Sequence, residues 1–207
     1  NHFLQGKFGK SPISKSLCFF GLEPVNFVTG AMNFSWDDFE LFGERTIRWT
    51  SAWQSDITYS GIMGNGVICN YDLFIIPQEA DGVAAYNNPD ENQVFPIPMP
   101  EVGGKEEYHR SLKLWQHRPN KSRWIIRTEK EIRTYRAFPD EEYGTVYLAE
   151  RIDYVDGGFL LLDYSGRKHL LSTIKDHLGR LIIFGQDEER GLIRSAMYKH
   201  GDVIDQL

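Results

Sequence analysis

Residues 172–184 contain two β-branched, apolar segments joined by the turn sequence Asp-His-Leu-Gly-Arg, and this unit recurs in the flanking sequence. The segment 163–167 carries the same Asp and Gly-Arg elements 13 residues upstream, and 187–191 carries an Asp followed by a reversed Arg-Gly pair. Self-similarity at a fixed spacing is typical of folds that stack small units against one another. The sequence therefore predicts a row of stacked β-hairpins in its C-terminal part.

The amino-acid composition favours a fold made of short strands. Aromatic residues make up 14% of the chain and 19 glycines interrupt it, which is typical of strands joined by turns. We therefore expect an all-β protein in which antiparallel strands and hairpins form a curved, twisted sheet with little helix.

The net charge of -6 argues against a nucleic-acid partner, because phosphate binding requires a basic surface. No apolar run approaches the roughly 18–20 residues that span a bilayer, so no membrane span is predicted.

Residues 1–22 mix Gly, Ser, Lys and Phe without a period and are predicted to form an irregular N-terminal arm. No targeting segment is recognisable and Asn1 is an unusual first residue, so we expect a fragment of a longer protein.

The two cysteines, Cys18 and Cys69, are too few for a disulfide framework and too far apart for a zinc site. Two separate buried thiols and one bridge between them both remain open.

Apolar and polar residues largely alternate over 45–53, which predicts a half-buried strand. A second strand is predicted at 67–76, and the glycines at 61, 64 and 66 supply the turn between the two.

The middle of the chain is predicted to be less regular. Prolines and polar residues over 78–107 indicate a loop with one extended segment, and only 105–114 has a helical pattern. Further on, four β-rich runs separated by short breaks predict an antiparallel meander, at 123–128, 131–138, 145–154 and 159–163.

Two segments in the first half of the chain resemble the conserved head of the Rhs proteins, the YD-repeat family of large bacterial toxin-delivery polypeptides. Residues 23–30 are similar to the family's Asp-Pro-Val-(Asn/Asp)-x-x-Thr-Gly opening, with Glu23 at the first position. Residues 64–72 are similar to its Gly-x-Gly-Trp-x-x-x-Tyr-Asp element, with Val67 in place of Trp. The residues that carry this resemblance are Pro24, Val25, Asn26, Thr29, Gly30, Gly64, Gly66, Tyr71 and Asp72.

The C-terminal part resembles the repeats of the same family. Its signature turn is Asp-x-x-Gly-Arg, and the matching residues are Gly166, Arg167, Asp176, Gly179 and Arg180. The third copy departs from the pattern, because Gln186-Asp187 stands where Tyr-Asp is usual. The resemblance implies an N-terminal arm at 1–22, a head region at 23–140 and the first YD-type repeats at 141–207.

The residue types of the repeat turn have a physical rationale. The Asp can accept hydrogen bonds from turn amides, and the Gly can adopt a positive φ. The Arg is then predicted to pair with a carboxylate of the next repeat while its stem covers apolar surface. The alternative, that Asp176, Arg167 and Arg180 are solvated turn residues, remains open.

Catalytic and metal-binding signatures are absent from the sequence. The six histidines lack the short spacings of metal sites, and neither cysteine lies in a nucleophile signature. The glycines at 61–66 lack the residues of a phosphate-binding loop, and 87–92 lacks calcium-loop spacing. We therefore expect no cofactor, no metal and no catalytic residues. Five carboxylates are interpreted as solvated, with an acid/base pair among them left open: Asp37, Asp38, Glu40, Asp153 and Asp156.

Aromatic side chains are the one ambiguous signal. They are predicted to belong mainly to the core, although an aromatic-lined groove for sugar or peptide is an alternative. The candidates are Trp36, Trp53, Trp115, Trp124 and Tyr59.

The Rhs resemblance implies a structural role and no catalysis of its own. The chain would form part of a secreted shell that encloses and helps to deliver a C-terminal toxin domain. Its partners would be the rest of its own chain, neighbouring shell subunits or a component of a secretion system such as type VI. A sugar- or surface-binding β module is the alternative, and a β-scaffold hydrolase is a third. Because the last strand of an open array is unpaired, 185–207 should self-associate through that edge or fold back over it.

Overall fold

The computed structural model describes residues 31–55, 59–88, 93–201 and 203–206. They form eighteen strands and one 3-10 turn at Glu79–Asp81. All the strand pairs with a defined register are antiparallel, which confirms the all-β prediction. The described part of the chain has no helix with the length and hydropathy needed to cross a bilayer.

The chain divides into two compact units. The first comprises Asn1–Asp72 with Asn87–Phe95, and the second comprises Leu73–Tyr86 with Pro96–Leu207. The predicted boundary between head and repeats at residue 140 falls inside the second unit, in the turn between two paired strands. The predicted arm at 1–22 lies outside the described residues.

The first unit contains a three-stranded sheet with the order β1-β2-β5 and a short hairpin formed by β3 and β4. Buried apolar side chains on β2 and β5, together with Tyr71, form its core. The strands are β1 (Asn33–Leu41), β2 (Ile47–Gln54), β3 (Ser60–Gly61), β4 (Gly64–Asn65) and β5 (Val67–Cys69). The predicted strand at 45–53 and the glycine turn after it are thereby confirmed.

The second unit is dominated by ten strands that are adjacent in space in their order along the chain, from β9 to β18. They are β9 (Glu107–His109), β10 (Leu114–Asn120), β11 (Arg123–Arg127), β12 (Glu131–Asp140), β13 (Gly144–Tyr154), β14 (Phe159–Ser165), β15 (Leu170–Asp176), β16 (Leu181–Asp187), β17 (Leu192–His200) and β18 (Val203–Gln206). The predicted meander over 123–163 is confirmed. Such sequential pairing needs only short connections, which is why turn residues punctuate this part of the sequence.

Three further strands, β6 (Phe74–Gln78), β7 (Val83–Asn88) and β8 (Gln93–Pro98), branch from this meander. β6 pairs with β13 at Tyr147 and Leu148, whereas β14 pairs with β13 further along the strand. The Arg133 guanidinium donates to the Tyr86 hydroxyl at 2.8 Å, and Gln116 donates to the Pro98 carbonyl at 3.0 Å. These two bonds tie the branch to the buried side of β10 and β12.

The core of the second unit combines large aromatic rings with buried arginines. The Arg118 guanidinium lies 5.5 Å from the Trp124 ring and 5.6 Å from the Tyr147 ring, and it donates to the Tyr147 hydroxyl. Arg133 pairs with Glu131. Burial raises the pKa of the Tyr135 hydroxyl well above its ordinary value, with the neighbouring Tyr86 adding to the effect. Cation–π contacts of this kind stabilise a buried guanidinium without a carboxylate.

Three local predictions are wrong. The interval 78–107 contains two strands, β7 and β8, where a loop with one extended segment was predicted. The predicted helix at 105–114 is instead the short strand β9 and a turn into β10, because Tyr108 pairs with Trp115 across the hairpin. The predicted strand at 67–76 is interrupted at 70–73, between β5 and β6. In the first two places, pairing with a neighbouring strand overrides the local pattern. At 70–73 the chain passes from β5, which pairs with β2, to β6, which pairs with β13.

Candidate functional site

The turn at residues 176–180, here called the Asp176 turn, joins β15 to β16. One Asp176 carboxylate oxygen accepts the amides of Leu178 and Arg180 at 3.0 and 2.8 Å. The other accepts Nε of Arg180 at 2.7 Å. The side chains of Asp176 and Arg180 are only 2% and 6% exposed. The predicted hydrogen bonds from turn amides to the Asp are therefore present, and the pair is buried and not solvated.

The turn arginines Arg180 and Arg167 each pair with a carboxylate. Arg180 pairs with the Asp of its own turn, a pairing that was not predicted. Arg167 lies 3.3 Å from Glu141 of the β12–β13 turn, and both side chains are almost fully exposed. The glycines of these turns, Gly166 and Gly179, have φ values of 73° and 83°, in the left-handed region that only glycine adopts without cost.

Alternate turns contact one another along one end of the hairpins. The amide of Val155, after β13, donates to the carbonyl of Lys130, before β12, at 2.9 Å. The His177 ring lies so close to Gly158 that a Cβ added at this glycine would be 2.6 Å from it. A side chain of the Asp176 turn thus occupies the space that the glycine of the β13–β14 turn leaves open.

The opposite end of the hairpins shows the same arrangement. Nε2 of His169 donates to the carbonyl of Pro139 at 2.8 Å, and Lys168 donates to the carbonyl of Glu189 at 2.7 Å. A Cβ added at Gly166 would lie 2.6 Å from the Glu188 carboxylate. The turns therefore stack in two rows, one at each end of the hairpins.

In the third copy of the repeat turn, at 187–191, the Asp still accepts a hydrogen bond from a turn amide. The Asp187 carboxylate accepts the amide of Arg190 at 3.1 Å and the guanidinium of Arg194 at 3.2 Å. The bond from the Arg190 amide, followed by the attraction of Arg194, lowers the pKa of this carboxyl. Two arginines pair with this carboxylate, Arg194 of β17 at 3.2 Å and Arg190 of the turn itself at 3.8 Å.

A second feature is an open apolar groove in the first unit, here called the β1 groove. It is lined by Met32, Phe34, Trp36 and Trp53. Phe34 is 57% exposed and stands opposite Trp53 in the β1–β2 pair. Two of the predicted aromatic candidates, Trp36 and Trp53, therefore lie together.

The other aromatic candidates lie elsewhere. Trp124 has no exposed surface and belongs to the core of the second unit, and Tyr59 is buried in the first. Trp115 lies between Tyr108, whose ring is 4.7 Å away, and the Arg127 guanidinium at 4.4 Å. Neither of the two buried side chains can contribute to an exposed ligand face.

The described head residues support the interior of the first unit. Tyr59 donates to the buried Asp72 carboxylate, and Asn87 donates to the Asp72 carbonyl. The Tyr71 ring packs 5.4 Å from the Trp49 ring, and Gly64 and Gly66 have positive φ in the turns around β4. The head residues at 24–30 lie outside the described residues.

Cys69 lies in the same interior, and the structure records it as a free buried thiol. Burial, followed by the nearby Asp72 carboxylate, raises the pKa of the Cys69 thiol well above its ordinary value. A thiol with a raised pKa is a poor nucleophile. Cys18 lies outside the described residues.

The predicted surface carboxylates mostly have local partners. Asp37 accepts from Thr50, Glu40 from Arg48 and Asp153 from Arg151. Asp38 accepts from the Trp36 indole at 2.9 Å and from the Ser51 hydroxyl at 2.5 Å. Within the described ranges, no group of histidines, cysteines and carboxylates has the arrangement of a metal site.

The sequence interpretation missed Met32 and Phe34 in the β1 groove, and His177, Lys168 and Glu188 between the turns. The alternation of Met32, Phe34 and Trp36 is a period-2 strand signal that identifies the first group. The contacts between turns have no such signal, because they depend on which turns the strand pairing places side by side.

Residues 22–95 match a family described as a domain of unknown function, DUF6531. The match includes both head segments, at 23–30 and 64–72, and it ends before the meander of the second unit. No curated protein matches the chain.

Proposed function

We propose that the chain is a structural segment of an Rhs-type shell that encloses a C-terminal toxin domain, and that it catalyses no reaction itself. The observation that supports this proposal best is the stacking of alternate turns in two rows. A wall built from hairpins needs contacts between successive hairpins that do not depend on a core at its centre.

The sheet of the second unit suits such a wall because it extends one hairpin at a time. Each strand from β10 to β17 is paired on both sides, and β9 and β18 end the row. A further hairpin after β18 would continue the same pairing. The buried Asp176–Arg180 pair fixes one turn so that it can contact the β13–β14 turn, its neighbour in the same row.

The match at 22–95 is consistent with a head region that precedes the repeats. In the proposal, the first unit belongs to this head and the meander from β9 onwards belongs to the wall. The partners would be the remainder of the chain, neighbouring shell subunits or a secretion-system component, and the shell would act outside the cell that makes it.

Limited proteolysis of the natural, full-length protein tests the proposal. A domain enclosed by the wall should resist protease under conditions that cleave exposed linkers, and Asp176→Ala should make that domain accessible by opening the wall. The conservative variant Lys175→Arg, on the exposed side of β15, is the matched control. A C-terminal domain that is cleaved equally fast in the native protein and in Asp176→Ala would contradict enclosure.

A further inference from the structure

The β1 groove is an exposed apolar surface on an edge strand. β1 pairs only with β2 among the described strands, and Met32 and Phe34 near its start are 44% and 57% exposed. Isolated exposed apolar side chains are common, whereas binding surfaces are built from contiguous apolar side chains such as these four.

The lining of the groove selects an apolar occupant. All four lining side chains are apolar, and the indole N–H of Trp36 is already bonded to Asp38. A sugar placed here would bury hydroxyl groups without partners, which costs about 1–3 kcal/mol each. Apolar side chains of a peptide segment carry no hydroxyl groups, so their burial does not incur this cost.

The border of the groove adds a charge preference. Asp38 is exposed, and no cation within ion-pair distance accompanies it in the described part of the chain. Of the neighbouring carboxylates, Glu40 pairs with Arg48 and Asp37 lies close enough to act on the same arginine. The border is therefore acidic, and a segment that combines apolar and basic residues fits it.

Residues 1–22 have this composition. They contain Lys7, Lys10 and Lys15 and no Asp or Glu. They also contain four phenylalanines, at positions 3, 8, 19 and 20. Only residues 23–32 separate them from β1, a connection that spans at most about 33–36 Å. Such a short tether gives the segment a millimolar effective concentration at the groove.

We propose that the β1 groove binds residues 1–22 of the same chain, with phenylalanine side chains against Phe34, Trp36 and Trp53 and lysines beside Asp38. This interaction would cover the exposed edge of the first unit. It does not depend on the shell function, because it involves only the first unit and the segment that precedes it.

Disulfide trapping in the full 207-residue chain tests the proposal. The segment carries Cys18, and Phe34→Cys places a second thiol in the groove. Ser35→Cys is the matched control, because it has the same tether length but points to the opposite face of β1. The native Cys69 is buried in every variant and takes no part.

Under mild oxidation, Phe34→Cys should form the intramolecular disulfide with Cys18 at least about tenfold faster than Ser35→Cys. Replacement of Lys7, Lys10 and Lys15 by Glu should remove most of this difference. Equal rates for the two cysteine variants, or a rate unchanged by the three Lys→Glu replacements, would overturn the proposal.

Two other occupants would be recognised by separate measurements. Disulfides that form only between chains, seen in a mixture of isotope-labelled and unlabelled protein, would assign the groove to a second copy. Specific binding on a glycan array that Trp36→Ala abolishes would assign it to a carbohydrate. Either result would overturn the assignment to residues 1–22.

Discussion

Asp176 and Arg180 form a buried ion pair inside a single turn, with a carboxylate oxygen 2.7 Å from the guanidinium. The same carboxylate accepts two backbone amides of the turn, so its charge is satisfied by three donors. The pair fixes the turn conformation that places the His177 ring against Gly158 of the β13–β14 turn.

Removal of the carboxylate should therefore destabilise the second unit strongly. Asp176→Ala removes the carboxylate from a buried ion pair, which costs about 3–5 kcal/mol. Urea unfolding followed by circular dichroism measures this loss. The control is Asp187→Ala at the end of β16. Its side chain is 26% exposed and pairs with the 49% exposed Arg194, so its loss should change the unfolding free energy far less. Equal losses for the two variants would contradict a special role for the Asp176 pair.

The contact between His177 and Gly158 predicts a difference between glycines of similar conformation. Gly158 and Gly144 have φ values of 80° and 72°, but an added Cβ meets the His177 ring only at Gly158. Gly144→Ala should cost about 1–2 kcal/mol from backbone strain alone. Gly158→Ala should cost more in the same unfolding assay.

The double variant Gly158→Ala with His177→Ala separates the two causes. If the ring contact is responsible for the extra loss, the two substitutions together should cost less than the sum of their separate costs. Additive costs would show that the turns do not interact at this position.

The Glu106–Arg127 pair predicts a pH-dependent contribution to stability. The hydrogen bond from Arg127, together with its charge, lowers the pKa of the Glu106 carboxyl below its ordinary value of 4.5. Because the folded-state pKa is the lower one, the stabilisation is present above pH 4.5 and is lost as the pH falls through the folded-state pKa. NMR titration of the glutamate side chains should show that Arg127→Gln raises this pKa. A titration of Glu106 that is unchanged in Arg127→Gln would refute the pairing.

The last strand predicts self-association of the isolated chain. β18 pairs with β17, so the chain folds back over that edge, and β18 is itself the new edge. Val203 and Ile204 on this strand are 56% and 62% exposed. Sedimentation velocity should show concentration-dependent association that Ile204→Lys removes, because a charged edge strand resists pairing. A monomer at all concentrations would show that the edge does not associate.

The sequence predicts those parts of the fold that depend on local pattern. The alternation around Trp49 and the turn residues between 123 and 163 identify strands whose partners are their neighbours in the chain. The Asp and Gly of the 176–180 turn likewise predict its hydrogen bonds and its left-handed residue.

Features that depend on which strands and side chains meet in the folded chain could not be predicted in this way. The segment containing Tyr108 has a helical pattern, yet pairing with Trp115 makes it a strand. Arg180 was expected to pair with a carboxylate of the next repeat, and its buried pair with the Asp four residues before it was not predicted. The contact of His177 with Gly158 depends on which turns the strand order places side by side.

Electron cryomicroscopy of the natural, full-length protein tests the proposed shell role most directly. We expect further hairpins to continue the sheet beyond β18, with their turns stacked in the same two rows, and the resulting wall to surround a separate C-terminal domain. A sheet that ends at β18 with no enclosed domain beside it would contradict the shell role.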